Sequence, residues 1–559
     1  MEKYLEEFNR WLSLADDQEV KEQLLMMQGN EKLIEDAFYR DLAFGTGGLR
    51  GELGAGTNRM NIYTVRKASQ GLANYINHHF KNPSIAISFD SRINSTLFAK
   101  AAAGVFAANG IRVFIYKELM PTPLLSYAVR ELHCSSGIMV TASHNPSKYN
   151  GYKAYDNNGC QIANEVADET LEEINHLDIF KDIKYMDFEE AMEKGIASYI
   201  SDDLYTAFIE RVKKESVLGE QEINKDVKIV YSPLNGTGLK PVTRILRESG
   251  YKNVIVVKEQ EQPDGHFPTC PYPNPEIKEA MALGIEYAKK NDADLLIATD
   301  PDCDRVGIAV KNKDGEHVLL SGNQTGILLL DYICMMRNKN HMMPKDPVFV
   351  KTIVTSDMAG KVAEHYGVKV VDVLTGFKYI GEQIKLLEDK HSEESYILGF
   401  EESYGYLTGS YVRDKDAVDG VFMIVEMFAY YKTLGISLLD KLDELSKQYG
   451  YYSNYLKSFE FPGSSGFTKM NNVMEHFRND IKELNGVSIE TLLDYSKGIN
   501  GLPKSNVVKM YLTDGSIVIV RPSGTEPKLK IYTSICGKSN SDNDKQYATL
   551  IKAVEKELA

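Results

Sequence analysis

The chain has 559 residues, which at about 150 residues per domain allows three or four domains with substantial apolar cores. Hydrophobic residues make up 43% and charged residues 26%, values that exclude gross disorder and fibrous classes. The net charge of −15 repels nucleic acid and anionic lipid, so an anionic ligand would need local cations or a metal to hold it.

Residues 3 to 40 carry apolar side chains such as Leu5, Phe8, Trp11 and Leu12 at helical spacing, and read as a packing arm. Before this arm, Met1 to Glu7 lack the basic and apolar regions of a signal peptide. No apolar run reaches the ~18 residues of a membrane span, and a cytoplasmic location is expected. Six scattered cysteines without a CxxC pair fit a reducing compartment, so no disulfides are expected.

Short β-branched runs then alternate with helical stretches: a strand at Ser84 to Phe89, a helix around Ala99 to Ala108, a strand at Ile111 to Tyr116. The alternation restarts near Val227 and near Val348, and a strand-rich block follows Ser453. The expected fold is α/β: three similar α/β domains with mixed, largely parallel sheets and a smaller C-terminal α+β domain, arranged around a central cleft. The expected boundaries are 1–200, 201–321, 322–449 and 450–559.

Four polar clusters directly follow apolar runs, where α/β sheets bind ligands. The first is Thr141-Ala142-Ser143-His144-Asn145-Pro146, with Lys153 beyond it. It holds the parts of an activated nucleophile, although the same residue types build ordinary turns. In the second, Asp300, Asp302 and Asp304 alternate with Pro301 and Cys303 before Arg305. Three carboxylates so spaced repel one another unless a hard cation neutralises them, and an exposed acidic turn is the plain alternative. An EF-hand is disfavoured by Arg305 and Lys311 at its Gly and Glu positions, and Cys303 is a bystander to a hard metal.

The third cluster, Glu401-Glu402-Ser403, precedes Arg413 and Lys415. It pairs a carboxylate and a hydroxyl suited to sugar hydroxyls, or forms a surface salt-bridge loop. The fourth, Arg521-Pro522-Ser523-Gly524-Thr525, is better read as a phosphate cradle than as a plain turn, since hydroxyl residues flank a glycine behind a cation. A glycine-rich stretch from Gly45 to Gly51 carries Arg50 and fits no nucleotide motif.

A nucleophile, a hard-metal site, a polyol grip and a phosphate cradle together describe phosphoryl transfer on a phosphosugar. In order and wording these loops resemble the α-D-phosphohexomutase family, the phosphoglucomutases and phosphomannomutases, over nearly the whole chain from Arg50 to Thr525. The resemblance implies a phosphorylated Ser143 and one Mg²⁺ per site held by Asp300, Asp302, Asp304 and a phosphoserine oxygen. Lys153 is implied as general base, a role it could take if neighbouring cations lowered its pKa, and His144, Arg50 and Arg305 surround the transferring group. Glu401 and Ser403 would read the sugar. Arg521, Ser523, Gly524 and Thr525 would grip the other phosphate, with Lys415, Arg413 and Lys378 adding cations.

The implied activity is interconversion of glucose 1-phosphate and glucose 6-phosphate through a glucose 1,6-bisphosphate that also serves as activator. Implied partners are small phosphosugars alone, with neither nucleic acid nor membrane, and a monomer or weak homodimer is expected. The wording around Asn150 to Ile162, with Tyr404 and Tyr406, looks closer to a subgroup that includes phosphopentomutases, which leaves mannose or pentose phosphate as the second substrate reading.

Overall fold

The computed structural model describes residues 2–45, 47–461, 466–499, 501–523 and 528–558, with the backbone alone of Asn164. The N-terminal arm is three helices, Lys3–Leu14, Gln18–Met27 and Glu31–Phe38. Their apolar stripes close on Trp11, which is fully buried and meets Phe38 and Tyr63 edge-on at 5.6 and 5.2 Å. Since Tyr63 belongs to the next helix, Ile62–His79, the arm is fastened to the first α/β unit.

We keep the proposed four-part division as domain names I to IV. In domain I the strands are β1 (Gly48–Glu52), β2 (Ser84–Phe89), β3 (Arg112–Ile115), β4 (Ser136–Val140), β5 (Tyr149–Tyr155) and β6 (Ala197–Tyr199), in sheet order β1-β5-β4-β2-β3-β6. Domain II holds β7 (Ile229–Ser232), β8 (Val254–Val256), β9 (Leu295–Thr299), β10 (Val306–Lys311) and β11 (His317–Leu320), in order β11-β10-β9-β7-β8. Domain III holds β12 (Val348–Thr352), β13 (Lys369–Val373), β14 (Tyr396–Glu401) and β15 (Gly405–Leu407), in order β13-β12-β14-β15. Domain IV is an antiparallel sheet of β16 (Tyr451–Glu460), β17 (Glu483–Leu484), β18 (Val487–Asp494), β19 (Val508–Leu512), β20 (Ile517–Pro522) and β21 (Lys528–Gly537), with helices Gly466–Asn479 and Asn540–Glu557.

The sheets of domains I to III are mixed in one consistent way. Parallel pairs such as β2–β4, β7–β9 and β12–β14 form the interior, and the strand after each polar cluster turns back antiparallel: β4 to β5, β9 to β10, β14 to β15. The fourth cluster lies between the antiparallel strands β20 and β21. All four clusters therefore occupy strand-to-strand returns. In domains I to III each return contains a non-glycine residue in the left-handed region: Ser143 at φ 50°, Cys303 at 52° and Tyr404 at 66°. Such backbone costs about 1–3 kcal/mol per residue and persists where the surroundings enforce it.

One hydrophobic core runs through three domains, from Leu124 and Tyr127 through Tyr231 and Val242 to Leu328 and Val421. Domain IV has its own core around Phe477, Val518, Val520 and Ile531, and meets domain III through a small cluster in which Ile353 and Leu374 face Tyr495 and Ile519. Domains I to III thus share one large core, and domain IV joins domain III through the smaller cluster. All six cysteines are free, five of them buried. Among the described residues no single helix is long and apolar enough to cross a membrane.

Candidate functional site

The returns of domains I to III, with Arg521 of β20, open on a single cleft of about 620 Å³. Ser143 lies at its floor, 3% exposed. Its backbone N–H donates to Thr141 Oγ1 at 2.8 Å, and its Oγ donates to Asp300 Oδ2 at 2.8 Å and lies 3.2 Å from His144 Nδ1. A residue that sequence reasoning passed over enforces this geometry. Arg92 is buried and donates to the carbonyls of Pro146 (2.9 Å), Tyr149 (3.0 Å), Ser143 (2.5 Å) and Asn145. Its guanidinium is 3.5 Å from Asp90, whose carboxylate accepts from Thr141 Oγ1 at 2.6 Å and Ser95 Oγ at 2.8 Å. The serine loop is thereby gripped from below by one cation along four carbonyls.

Asp300, Asp302 and Asp304 are all buried, and one ligand oxygen from each lies within 4.8 Å of the others. Asp300 Oδ1 accepts from the N–H groups of Asp304 and Arg305 at 3.1 and 3.0 Å, which curls the loop around it. Asp302 Oδ1 and Asp304 Oδ1 are buried without a hydrogen-bond partner. Orphaned carboxylate oxygens are costly unless something pairs with them. An all-oxygen donor set with Ser143 Oγ beside it fits Mg²⁺, which keeps few protein ligands and completes its shell with water or phosphate. Cys303 points away, toward Gly238, and its Sγ belongs to the core.

Burial raises the Asp300 pKa well above the usual carboxylate range, and Asp302 and Asp304 add to the effect. For Asp302 burial is outweighed by Lys153 and by the bond with Asp300, which hold it well below that range. Burial also presses His144 far down, helped by Arg305 and Arg50, so its imidazole is neutral. Lys153 departs from the expectation of a lowered pKa. Burial pushes it down, yet Asp302 at 2.7 Å and Asp304 at 3.4 Å outweigh burial, and the net shift is upward. The carboxylates outweigh the neighbouring cation Lys415 as well, and in this arrangement Lys153 is an ammonium.

The sugar loop and its cations follow from domain III. Glu401 Oε1 accepts from the Gly376 N–H at 2.9 Å, and the Ser403 carbonyl accepts from Arg305 Nη1 at 3.2 Å. Lys415 bridges Asp414 at 3.0 Å and Asp304 at 3.2 Å. Arg50, Ser143, His144, Lys153 and Arg305 line the cleft beside Glu401, Ser403, Lys415 and Arg521.

Arg413 does not line it. Its side chain is fully buried and donates to Glu388 at 2.6 Å and to the carbonyls of Ser410 and Val412, while its N–H donates to Ser126 Oγ of domain I. With Arg130 on the same Glu388, it knits domain I to domain III. The chain bends at Arg413 and Asp414, so the two cations need not share a face: Arg413 is held inward by Glu388 and the Ser410 and Val412 carbonyls, while Lys415 reaches Asp304 in the cleft. Lys378 also lies off the cleft wall, its ammonium 5.1 Å from the Tyr379 ring and its pKa lowered by burial, while Thr375 to Phe377 form the lining. Ser523 donates its N–H to Lys528 O at 2.7 Å, and Gly524 and Thr525 lie outside the described residues.

Other cleft residues had no motif to announce them. Lys530 and Tyr532 on β21 pair across the sheet with Arg521 and Ile519 and share the cleft face. A period of two counted forward along the strand after the phosphate-type loop would have found them. Glu276, in the segment before the helix Lys278–Lys290, ion-pairs with Arg305 at 2.5 Å.

Four family models match in chain order: phosphoglucomutase/phosphomannomutase alpha/beta/alpha domains I (residues 41–179), II (205–315) and III (321–449), and the C-terminal domain (474–539). The chain belongs to the phosphoglucomutase/phosphomannomutase family. A phosphoglucomutase of Staphylococcus saprophyticus is 37% identical over 532 residues, covering 90% of this chain and 95% of its own length. Among solved structures, parafusin, a phosphoglucomutase of Paramecium, shares the fold at TM-score 0.68 and 19% identity, over 93% of this chain and 94% of its own. A phosphoglucomutase/phosphomannomutase family protein of Burkholderia thailandensis shares it at TM-score 0.68 and 17% identity, over 92% and 97%.

Proposed function

We propose that this family member is a phosphoglucomutase, an isomerase that interconverts α-D-glucose 1-phosphate and glucose 6-phosphate through phosphorylated Ser143 and a glucose 1,6-bisphosphate held in the cleft. The observation that carries the reading is convergence. Ser143 and Asp304, of the buried serine and aspartate cluster, share one cleft of about 620 Å³ with a second group of cations, Arg521 and Lys530. A phosphatase needs the serine and the metal site but has no use for a second phosphate grip, whereas a mutase must hold both ends of a bisphosphate at once.

In the first half-reaction the sugar hydroxyl oxygen bonds to phosphorus as the bond from phosphorus to Ser143 Oγ breaks, and the hydroxyl proton leaves. In the second half-reaction Ser143 Oγ, protonated when it left in the first, bonds to the other phosphorus as the bond from that phosphorus to the sugar oxygen breaks; the freed sugar oxygen takes a proton and Ser143 Oγ gives up its own. Neutral His144, with Nδ1 3.2 Å away, can accept that proton. Asp300, Asp302 and Asp304 with Ser143 Oγ would hold Mg²⁺, which when bound offsets the charge on the transferring phosphoryl oxygens. We assign the sugar hydroxyl proton to Lys153 in the state where Asp302 and Asp304 no longer pair with it. While paired, Lys153 is a cation that attracts phosphoryl oxygens. Arg521 and Lys530 hold the phosphate that does not react, and Glu401 with Ser403 orients the ring hydroxyls between the walls.

The test is coupled formation of glucose 6-phosphate from glucose 1-phosphate with Mg²⁺ and a trace of glucose 1,6-bisphosphate. Ser143→Ala is expected to abolish transfer, and Arg521→Ala to raise KM with a smaller effect on kcat. Mannose 1-phosphate and ribose 1-phosphate run in parallel: strong turnover of either beside weak glucose turnover would transfer the assignment to that sugar. Steady release of inorganic phosphate instead of isomer would replace the mutase reading by a phosphatase.

A further inference from the structure

A carboxylate in a cleft built for two phosphates opposes the ligand's charge, so Glu276 needs a physical reason to be there. Its segment is rigidly placed. Its N–H donates to Asn274 Oδ1 at 3.1 Å, and the preceding Pro275 rests on β10 so closely that a Cβ at Gly307 would come within 2.5 Å of the Pro275 carbonyl oxygen. From this perch Glu276 Oε1 reaches Arg305 Nη1 at 2.5 Å. The same Nη1 lies 3.2 Å from the Ser403 carbonyl, and Arg305 Nε is buried without a hydrogen-bond partner, 3.8 Å from Asp304 Oδ1. Arg305 is thus engaged by an anion of its own chain, beside the serine and the aspartates, with donor capacity to spare. Both partners line the cleft, with side chains 17% and 27% exposed.

Two demands on Arg305 conflict. It must attract a phosphate to the wall that carries Ser143, and it must also release that phosphate when the bisphosphate turns end over end. A cation without a counter-ion meets only the first demand. We infer that Glu276 is a displaceable counter-ion for Arg305, a positioning residue that any arriving phosphate must displace and that returns as the phosphate leaves. Competition of this kind lowers apparent affinity by the fraction of time Arg305 is free. It makes the hold on the metal side of the cleft shallow enough for reorientation. The inference rests on the mutase reading for its purpose, while the competition itself requires no turnover.

The experiment compares the full-length protein with Glu276→Gln, which keeps shape and removes charge. Inorganic phosphate is titrated calorimetrically in an Arg521→Ala, Lys530→Ala background, which removes both cations of the second grip. The expected result is phosphate binding tightened about three- to fivefold, the range that partly exposed ion pairs support. In the otherwise wild-type background the expected steady-state signature is a fall in both KM and kcat, with tighter retention of glucose 1,6-bisphosphate. A residue that merely supported the fold would lower kcat without tightening phosphate. Unchanged or weaker phosphate binding, or a raised KM at constant kcat, would overturn the inference and make Glu276 a sugar ligand instead. Glu276→Asp, whose carboxylate stops short of Arg305, is expected to shift both readouts in the same direction by less, and serves if the Gln variant does not fold. A wild-type protein inactive on every sugar phosphate would remove the mutase reading and leave the phosphate titration to decide the competition.

Discussion

Replacement of Arg92 by methionine separates the loop-clamp account of Ser143 from a simple motif account. The side chain lies beneath the serine loop with a side-chain exposure of 0%, and so does its partner Asp90. Methionine fills similar volume but removes the hydrogen bonds to the carbonyls of Ser143, Asn145, Pro146 and Tyr149, and leaves Asp90 as a buried charge without its cation. Breaking a buried pair by removal of one partner costs about 3–5 kcal/mol. At about 2–4 °C per kcal/mol for a domain of this size, the domain I thermal midpoint should fall by about 10 °C. Ser143 sits at φ 50° because the loop is held from below. Once released, it relaxes toward ordinary turn geometry, and misplacement of a reacting group by about 1 Å costs about a hundredfold in rate. Calorimetric unfolding and the coupled mutase assay measure the two effects at a temperature where the variant is folded. Adding Asp90→Asn should recover part of the stability, since the stranded charge is gone, but none of the rate. Near-wild-type kcat in folded Arg92→Met would refute the clamp.

Three further outcomes follow from the geometry. Arg413→Met should lower the thermal midpoint, with a cost of about 2 kcal/mol for the lost charged hydrogen bonds, while KM stays within twofold of wild type. A large rise in KM would return Arg413 to the cleft. Mg²⁺ should raise the thermal midpoint by binding the folded aspartate site, and Asp304→Asn should abolish that rise; an equal rise in the variant would place the cation elsewhere. Burial, with Glu401 beside it, lifts Glu402 from 4.5 to about 7, so the folded chain holds a proton there that the unfolded chain releases. Stability from this group is therefore lost as pH climbs from about 4.5 to about 7. Glu402→Gln should match wild type near pH 4.5 and exceed it in thermal midpoint at pH 8, and a constant difference across that range would contradict the assignment.

Much of the site was legible because its chemistry is local in the chain. Alternating Asp300, Asp302 and Asp304, the turn around Ser143, and Arg521 ahead of a glycine each sit in a short segment behind an apolar strand, and such strands show as short continuous apolar runs. The α/β class was readable for the same reason. Tertiary structure alone decided matters that depend on residues far apart. Whether Lys153 is an acid or a base turns on Asp302 and Asp304, about 150 positions away, since charge state follows the nearest charges in space. Arg413 and Lys415 are two residues apart, yet one binds domains together and the other faces the cleft, because the chain bends between them and packing determines which side is buried. Arg92 grips carbonyls more than 50 residues on, and backbone acceptors carry no sequence signal. Local order determines which chemical groups the chain owns; the meeting of three strand returns with Arg521 and Lys530 at one cleft determines what those groups can do.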